Sequence, residues 1–259
     1  MRFCSLGSGS TGNATLIEAA SGTTVTRVLV DCGFSLRELE TRLARHGLAP
    51  NQLSAVFVTH EHGDHVGCAE TLARRYGVTL WMSRGTWRAI GSPDLDELLR
   101  FARDGETIEI RDLRLQPYTV AHDAQEPLQL RASDGARHLG ILTDAGSCTP
   151  HLLANLQRCD ALLLECNHDR EMLANSRYPW SLKARIGGRF GHLANDTAAQ
   201  ILAGCLHDGL TRLVAAHLSE TNNTPALARA ALATLWSERP DDIVVADPAT
   251  GFDWVAVGS

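Results

Sequence analysis

The sequence predicts an α/β fold, because short apolar runs alternate with segments of helical periodicity along all 259 residues. Hydrophobic residues make up 44% of the chain, which is enough to fill a core and excludes general disorder. No uninterrupted apolar run approaches the roughly 18 residues that cross a bilayer, so we expect no membrane association. No repeat or linker-like tract divides the chain, and we therefore expect a single domain spanning residues 1–259.

Three features of the sequence indicate the cellular compartment and the kind of partner: the cysteines, the amino terminus and the net charge. The chain has seven cysteines and no C-x-x-C pair, so we expect reduced, buried thiols and no disulfide scaffold. The amino terminus lacks a basic start followed by an apolar stretch, which favours a cytoplasmic location. The net charge of −6 argues against a protein dedicated to coating nucleic acid.

The candidate strands are short apolar segments bounded by turn residues. In chain order they are Asn13–Glu18, Thr26–Val30, Ala55–Val58, Thr79–Met82, Leu113–Ala121, Leu139–Thr143, Ala161–Leu164, Arg212–Ala216, Ile243–Ala246 and Phe252–Val257. Helices are expected between them, and their start signals are readable in the sequence. The candidates are Leu36–His46 behind the capping box of Ser35 and Glu38, Val66–Arg75, a helix from Asn195 to Asp208, and one opened by Thr224-Pro225. This pattern alone leaves the layering of the sheets open.

One loop carries the chemistry. Thr59–Gly67 reads THEHGDHVG and lies between a predicted strand and a predicted helix. His60 and His62 project to the same side of an extended segment, and Asp64 and His65 follow as the chain turns. Imidazole and carboxylate together suit zinc, manganese or iron. A solvated histidine loop without metal is disfavoured, because so dense a cluster would repel itself when protonated.

Three further residues follow predicted strands, where ligands from other parts of the fold would be expected. They are His122 after Tyr118–Ala121, Asp144 after Leu139–Thr143, and His217 after Leu213–Ala216. Each alone is more often an ordinary loop or cap residue, but their shared placement beside the histidine loop favours a metal centre. Asp31 also ends a strand, and we expect it to support the histidine loop from below.

The motifs together resemble the metallo-β-lactamase fold of metal-dependent hydrolases, and within it the bacterial YycJ/WalJ group of metal-dependent DNA exonucleases. The residues that carry the resemblance are THEHGDH, Ser5–Asn13 (SLGSGSTGN), His122-Asp-Ala, Glu165–Asp169 (ECNHD), Gly191-His-Leu, and His217-Leu-Ser with Asn222-Asn223. The resemblance implies an αββα four-layer sandwich with a dinuclear metal centre at one edge of its two sheets. It also implies a nucleic acid substrate, DNA in particular.

The resemblance assigns the ligands residue by residue. It places His60, His62 and His122 on one metal. It places Asp64, His65 and His217 on the other, with Asp144 bridging the two. Two divalent ions, Zn²⁺ or Mn²⁺ and alternatively Fe²⁺, would then activate a hydroxide for phosphodiester hydrolysis, and Asp64 could also orient it.

Glu165 and His192 match a pair in the related tRNA-processing enzymes that works near the scissile phosphate. A carboxylate that holds an imidazolium would let His192 bind a phosphate oxygen or protonate the leaving group. A Glu–His pair that only stabilises a loop is the alternative.

The stretch from Met172 to His192 contains four basic residues and no acidic one, with Tyr178 and Trp180 among them. Cationic side chains beside aromatic ones suit a phosphate backbone and a stacked base, although a solvated basic face would have the same composition. The candidate substrate-binding residues are His168, Arg177, Lys183, Arg185 and Arg189.

Two other functions stay open at this stage. A thioesterase or lactonase resembling glyoxalase II would share the histidine loop but would not need the Glu165–His192 pair or the basic stretch. A metal-bound regulatory module without catalysis would also keep the fold, but a complete ligand set argues against lost activity.

Overall fold

The structure, a computed structural model, describes residues 1–236 and 240–258. Its strands are β1 (Arg2–Gly7), β2 (Ala14–Ser21), β3 (Thr24–Val30), β4 (Ala55–Phe57), β5 (Thr79–Met82), β6 (Leu99–Phe101), β7 (Ile108–Ile110), β8 (Leu113–Thr119), β9 (Leu128–Ser133), β10 (His138–Leu142), β11 (Ala161–Glu165), β12 (Arg212–Ala216), β13 (Val244–Val245) and β14 (Phe252–Ala256). Its α-helices are α1 (Leu36–Arg45), α2 (Gly63–Val66), α3 (Ala69–Tyr76), α4 (Arg84–Ala89), α5 (Pro150–Leu156), α6 (Arg170–Asn175), α7 (Trp180–Ile186), α8 (Asn195–Cys205) and α9 (Pro225–Ala233). No helix within these ranges combines the length and the apolar composition needed to cross a bilayer.

The strands form two mixed sheets of seven strands each, with the same internal plan. The first has the order β14-β1-β2-β3-β4-β5-β6, and the second has the order β13-β12-β11-β10-β9-β8-β7. In each sheet one half is antiparallel and the other half is parallel: β3 to β6 run parallel in the first, and β10 to β13 in the second.

Successive side chains along a strand point to opposite faces of its sheet, so the strands contribute to three apolar layers: one between the sheets and one beneath the helices on each outer face. Leu162 and Leu164 of β11 point outward toward α5, α8 and α9, whereas Ala161 and Leu163 point into the space between the sheets. On the first sheet Leu29 of β3 packs outward with residues of α1 and α3. Central strands buried on both faces are therefore almost continuously apolar. Helices cover both outer faces, which confirms the expected αββα four-layer sandwich.

Two differences from the sequence prediction have clear physical reasons. The helix expected over Val66–Arg75 is divided between two helices, α2 and α3. Gly67 interrupts the helix because its φ is +29°, and it packs against the Cys32 carbonyl. Strand β9 was not predicted, because its sequence LQLRAS alternates apolar and polar residues and contains no continuous apolar run. The Gln129 side chain is fully buried and accepts a 2.9 Å hydrogen bond from the Thr143 backbone, which satisfies its polarity.

The strands deliver polar residues to one edge of the sandwich. Asp31 directly follows β3, Asp144 is the second residue after β10, Glu165 ends β11 and His217 directly follows β12. Asp31, Asp144 and His217 have φ values of 61°, 50° and 54°, in the left-handed region that residues other than glycine rarely adopt. Such strained turns cluster at functional sites, since the surrounding structure must hold them.

Candidate metal centre

The histidine loop is held from beneath by the turns that follow β1 and β3. The Asn13 amide donates to the Asp64 carbonyl at 2.8 Å, and the Cys32 amide donates to the His65 carbonyl at 2.9 Å. Gly33 lies directly against the Asp64 backbone, so closely that a Cβ atom there would overlap the Asp64 carbonyl. The loop therefore depends on glycine at a position where the φ itself is unremarkable.

Three imidazoles converge at the edge of the first sheet. Nε2 of His60 and Nε2 of His122 lie 3.0 and 3.2 Å from Nδ1 of His62. Zinc–nitrogen bonds of about 2.0–2.1 Å place tetrahedral ligands roughly 3.3 Å apart. The spacing of these nitrogens thus suits ligands of one ion.

A second group, Asp64, His65 and His217, lies beside the first. Asp64 Oδ2 is 3.4 Å from His65 Nε2 and 3.7 Å from His217 Nε2. Asp144 stands between the groups, with Oδ2 at 2.5 Å from His65 Nε2 and 4.0 Å from His60 Nε2. The structure thus brings together all seven residues in the grouping expected from the sequence. Their role as ligands stays a prediction.

Hydrogen bonds on the far side of the rings select the nitrogen that faces the centre. Nδ1 of His65 donates to Asp31 at 2.7 Å, and Thr59 Oγ1 donates to the same carboxylate. Because its hydroxyl proton is engaged there, Thr59 Oγ1 accepts from His60 Nδ1 at 3.0 Å. His122 Nδ1 donates to the Gly191 carbonyl at 2.9 Å. All three rings are left with the Nε2 lone pair directed inward, as metal ligation requires.

Burial and neighbouring charges set the protonation of the cluster. Burial and the adjacent His65 push the pKa of His60 well below its ordinary value, and burial also lowers the pKa of His122. Burial would raise the pKa of the Asp144 carboxyl, but His217, His65 and His192 outweigh it and hold that pKa well below its usual range. For His60, His122 and Asp144 these directions favour the neutral imidazole and the ionised carboxylate, which are the forms that bind metal. At His65 burial lowers the pKa, but Asp144 and Asp31 outweigh it and raise that pKa well above its ordinary value.

The donor set fits divalent cations on a further observation. Asp144 Oδ2 and both ring nitrogens of His217 are buried and have no hydrogen-bond partner among the described residues. The 3.0 Å approach of His217 Nδ1 to Asp144 Oδ1 does not have hydrogen-bond geometry. Buried polar atoms without partners are rare. A bound cation would satisfy Asp144 Oδ2 and one of the two His217 nitrogens.

Glu165 and His192 form the predicted pair. His192 Nδ1 donates to Glu165 Oε1 at 2.8 Å and also lies 2.9 Å from Asp144 Oδ1. Glu165 is fully buried, and its Oε2 accepts the Ala145 amide at 2.8 Å. Burial lowers the pKa of His192, but the bonds to the two carboxylates raise it to about 10. The pair adjoins the ligand cluster through Asp144.

A cleft of about 390 Å³ opens over the centre and is partly covered by α7. Its lining includes Asp64, Asp144, His192, His217 and Arg185. Arg185 donates to Asp123 Oδ2 at 2.6 Å, and Asp123 Oδ1 lies 3.5 Å from His122 Nε2. Asp123 thereby fixes the positively charged guanidinium of Arg185 at the mouth of the cleft.

The other predicted substrate-binding residues are dispersed. His168 and Lys183 line a neighbouring cavity on the other side of α7. Arg177 is exposed, and Arg189 lies over the ring of Phe190 at 5.0 Å; neither lines the cleft or the neighbouring cavity. The structure therefore associates Arg185, Lys183 and His168 with cavities, and it gives Arg177 and Arg189 no such place.

Asn13 and Asp123 also lie at the site, although the sequence predicts no role for them. Asn13 Nδ2 lies 3.3 Å from Asp64 Oδ2 and 3.2 Å from His65 Nε2, and Asp123 pairs with Arg185 as described above. Asp123 directly follows the candidate ligand His122, which is the one signal that could have indicated it. Asn13 ends a glycine-rich turn, a position that by itself suggests only turn chemistry.

Comparison with known proteins agrees with this fold. The family model described as "Beta-lactamase superfamily domain" matches residues 26–218, and the chain belongs to that family. The structure of the metallo-beta-lactamase fold protein YhfI from Bacillus subtilis is similar with a TM-score of 0.74 at 17% identity, covering 98% of this chain and 99% of that one. That likeness shows the fold.

Within this family, the similarity extends to two named enzymes. The chain is 34% identical over 243 residues to exodeoxyribonuclease YycJ of Bacillus anthracis, covering 92% of this chain and 90% of the relative. It is 33% identical over 233 residues to exodeoxyribonuclease WalJ of Streptococcus pneumoniae, covering 88% of this chain and 85% of the relative. The resemblance stated from the motifs is confirmed.

Proposed function

We propose that this protein is a metal-dependent phosphodiester hydrolase that acts on DNA as an exonuclease. One observation carries the proposal: the Asp144 carboxylate stands between two groups of candidate ligands and also contacts the Glu165–His192 pair. A hydrolytic centre and a group able to move a proton are thus joined at one residue. The names of the YycJ and WalJ relatives support DNA as the substrate.

The seven clustered residues would hold two divalent ions, Zn²⁺ or Mn²⁺, with Fe²⁺ an alternative that the same nitrogen and oxygen ligands accept. When bound, these ions supply Lewis acidity, which activates water and offsets the charge of a phosphodiester. Asp31 and Thr59 hold His60 and His65 in the required tautomers, so the ligand atoms are oriented before any metal arrives.

His192 is the residue we assign to proton transfer. Glu165 holds its Nδ1, so Nε2 is the ring nitrogen available to a substrate in the cleft. As the oxygen of water bonds to phosphorus and releases one proton to solvent, the bond from phosphorus to the sugar oxygen breaks. His192 Nε2 gives its proton to that leaving oxygen, and the buried Glu165 carboxylate stabilises the positive ring until then.

Arg185 is the residue we assign to the substrate phosphate. Its guanidinium lies at the mouth of the cleft, and Asp123 fixes its position from one side. A planar guanidinium can still offer its remaining N–H groups to phosphate oxygens.

The seven cysteines are free thiols, which agrees with a reducing cytoplasm as the place of action.

The test is hydrolysis of end-labelled single- and double-stranded DNA by chelated protein to which Mn²⁺ or Zn²⁺ is added. We expect metal-dependent shortening from one end by the wild type and by Asp112→Ala, a carboxylate that binds Thr26 far from the centre. We expect none from Asp144→Ala. Two bound metals with no cleavage of either DNA would refute the nuclease proposal and favour an ester or thioester substrate.

A further inference from the structure

A second cavity adjoins the metal cleft and has no assigned ligand. It measures about 480 Å³, a size typical of small-molecule sites. Helix α7 separates the two spaces: Leu182 and Arg185 line the metal cleft, whereas Trp180 and Lys183 line the second cavity. A polymer bound across α7 could therefore occupy both spaces.

The deep wall of this cavity holds a polar group without a partner. The His168 side chain is 1% exposed, and its Nδ1 forms no hydrogen bond with any described residue. Burial, together with His192 and Arg170, lowers the pKa of His168 to about 4, so the ring is neutral at pH 7. A neutral imidazole offers one donor and one acceptor, and a buried ring of this kind usually has a partner.

The outer wall of the cavity is formed by the solvent-exposed side chain of Trp180. Trp180 is 82% exposed, the most exposed of the large apolar side chains described. Lys183 Nζ donates to the Ala174 carbonyl, which fixes its position without neutralising its charge. Leu173, Ala174 and Ala184 supply apolar surface between these polar groups. A flat aromatic ligand with a polar edge and a nearby anion matches this lining.

We propose that the second cavity binds the nucleoside next to the scissile phosphate, with its base stacked on Trp180 and its edge hydrogen-bonded to His168. Lys183 would contact the phosphate of that nucleoside. The inference rests on the proposed function, since the cleft across α7 must hold a phosphodiester. Stacking on an aromatic side chain tolerates every base, so the contact with Trp180 gives no preference among the bases.

The first experiment compares two single strands that differ only at the end removed first, which carries either adenine or an abasic tetrahydrofuran residue. The wild type should have about tenfold higher kcat/KM for the strand with the base, as expected for one stacking contact. Trp180→Ala should lose this preference, and Trp180→Phe should restore it. Phe190→Ala, which removes an exposed aromatic outside the cavity, should behave as the wild type. A preference that Trp180→Ala retains overturns the inference.

The second experiment needs no metal and no turnover. Protein freed of metal by a chelator is titrated into 2-aminopurine deoxynucleoside monophosphate, and the fluorescence of the 2-aminopurine is followed. We expect quenching by the wild type and by Phe190→Ala, and about tenfold weaker binding by Trp180→Ala. If the wild type removes no nucleotide from either strand, the proposed function fails. The titration alone then decides whether the second cavity binds a nucleotide. Absent quenching, or equal binding by Trp180→Ala, then overturns the cavity assignment.

Discussion

Asp31 offers the sharpest test of how the fold prepares the metal centre. Its buried carboxylate accepts bonds from His65 Nδ1 at 2.7 Å, from the Thr59 amide at 2.8 Å and from the Thr59 hydroxyl at 2.9 Å. Asp31→Ala removes all three. At about 1 kcal/mol each, the free energy of unfolding of the metal-free protein should fall by about 3 kcal/mol. The midpoint of thermal unfolding should then fall by roughly 6–12 °C.

The same substitution should weaken metal binding separately from stability. Without Asp31, His65 loses the bond that selects its tautomer, and the Thr59 hydroxyl no longer has the acceptor that directs its oxygen toward His60. Loss of such a supporting partner typically costs about 10- to 100-fold in metal affinity. Calorimetric titration of chelated protein with Zn²⁺ measures this directly, and Asp31→Asn, which keeps the shape and one acceptor oxygen, should lose less.

The matched control is Asp160→Ala. Asp160 accepts the His138 amide at 2.8 Å and Arg137 at 2.9 Å, near the amino end of β10 and away from the centre. This variant should also lose stability but keep the metal affinity of the wild type. If Asp31→Ala binds Zn²⁺ within twofold of the wild type, the argument that these hydrogen bonds preorganise the ligands is wrong.

Three further substitutions separate the parts of the site. Asp144→Ala should lose metal and activity together, measured by metal content after dialysis and by DNA hydrolysis; activity with fewer than two metals bound would contradict the bridging role. His192→Ala should keep both metals yet lose about 10²- to 10⁴-fold in turnover, the usual contribution of a proton-transfer group. An unchanged rate would remove His192 from the mechanism. Gly33→Ala should displace the Asp64 backbone and weaken metal binding, whereas Gly63→Ala, where a Cβ meets open space, should not; equal metal affinities in the two variants would refute the steric argument.

The sequence predicts the candidate ligands well because they are marked locally. His60, His62, Asp64 and His65 lie within one loop, and the remaining ligands each follow an apolar strand. Thr59 and Asp123 adjoin candidate ligands in the sequence, but nothing local indicates which residues they bind. Their contributions arise from neighbours that are distant in the chain, Asp31 for one and Arg185 for the other, so only the folded structure brings them to the site.

The same distinction applies to the fold. Most strand positions could be predicted, but the division of the strands between two sheets could not, since an apolar strand buried on both faces carries no sign of its sheet. The family resemblance supplied that layering. Strand β9 escaped prediction because the burial of Gln129 depends on Thr143, which lies in a different part of the sequence.

Helix α7, which separates the two cavities, adds little to the packing of the sandwich. Residues 174–190, which include α7, contribute no buried side chain. The packing of the sandwich therefore places little restraint on the identity of these residues, while the ligand-bearing strand ends tolerate almost no change. Grafting this segment from one relative onto another should exchange substrate preference while leaving metal affinity and thermal stability nearly untouched. If α7 contacts the substrate as proposed, selectivity and catalysis can evolve on separate segments of the chain.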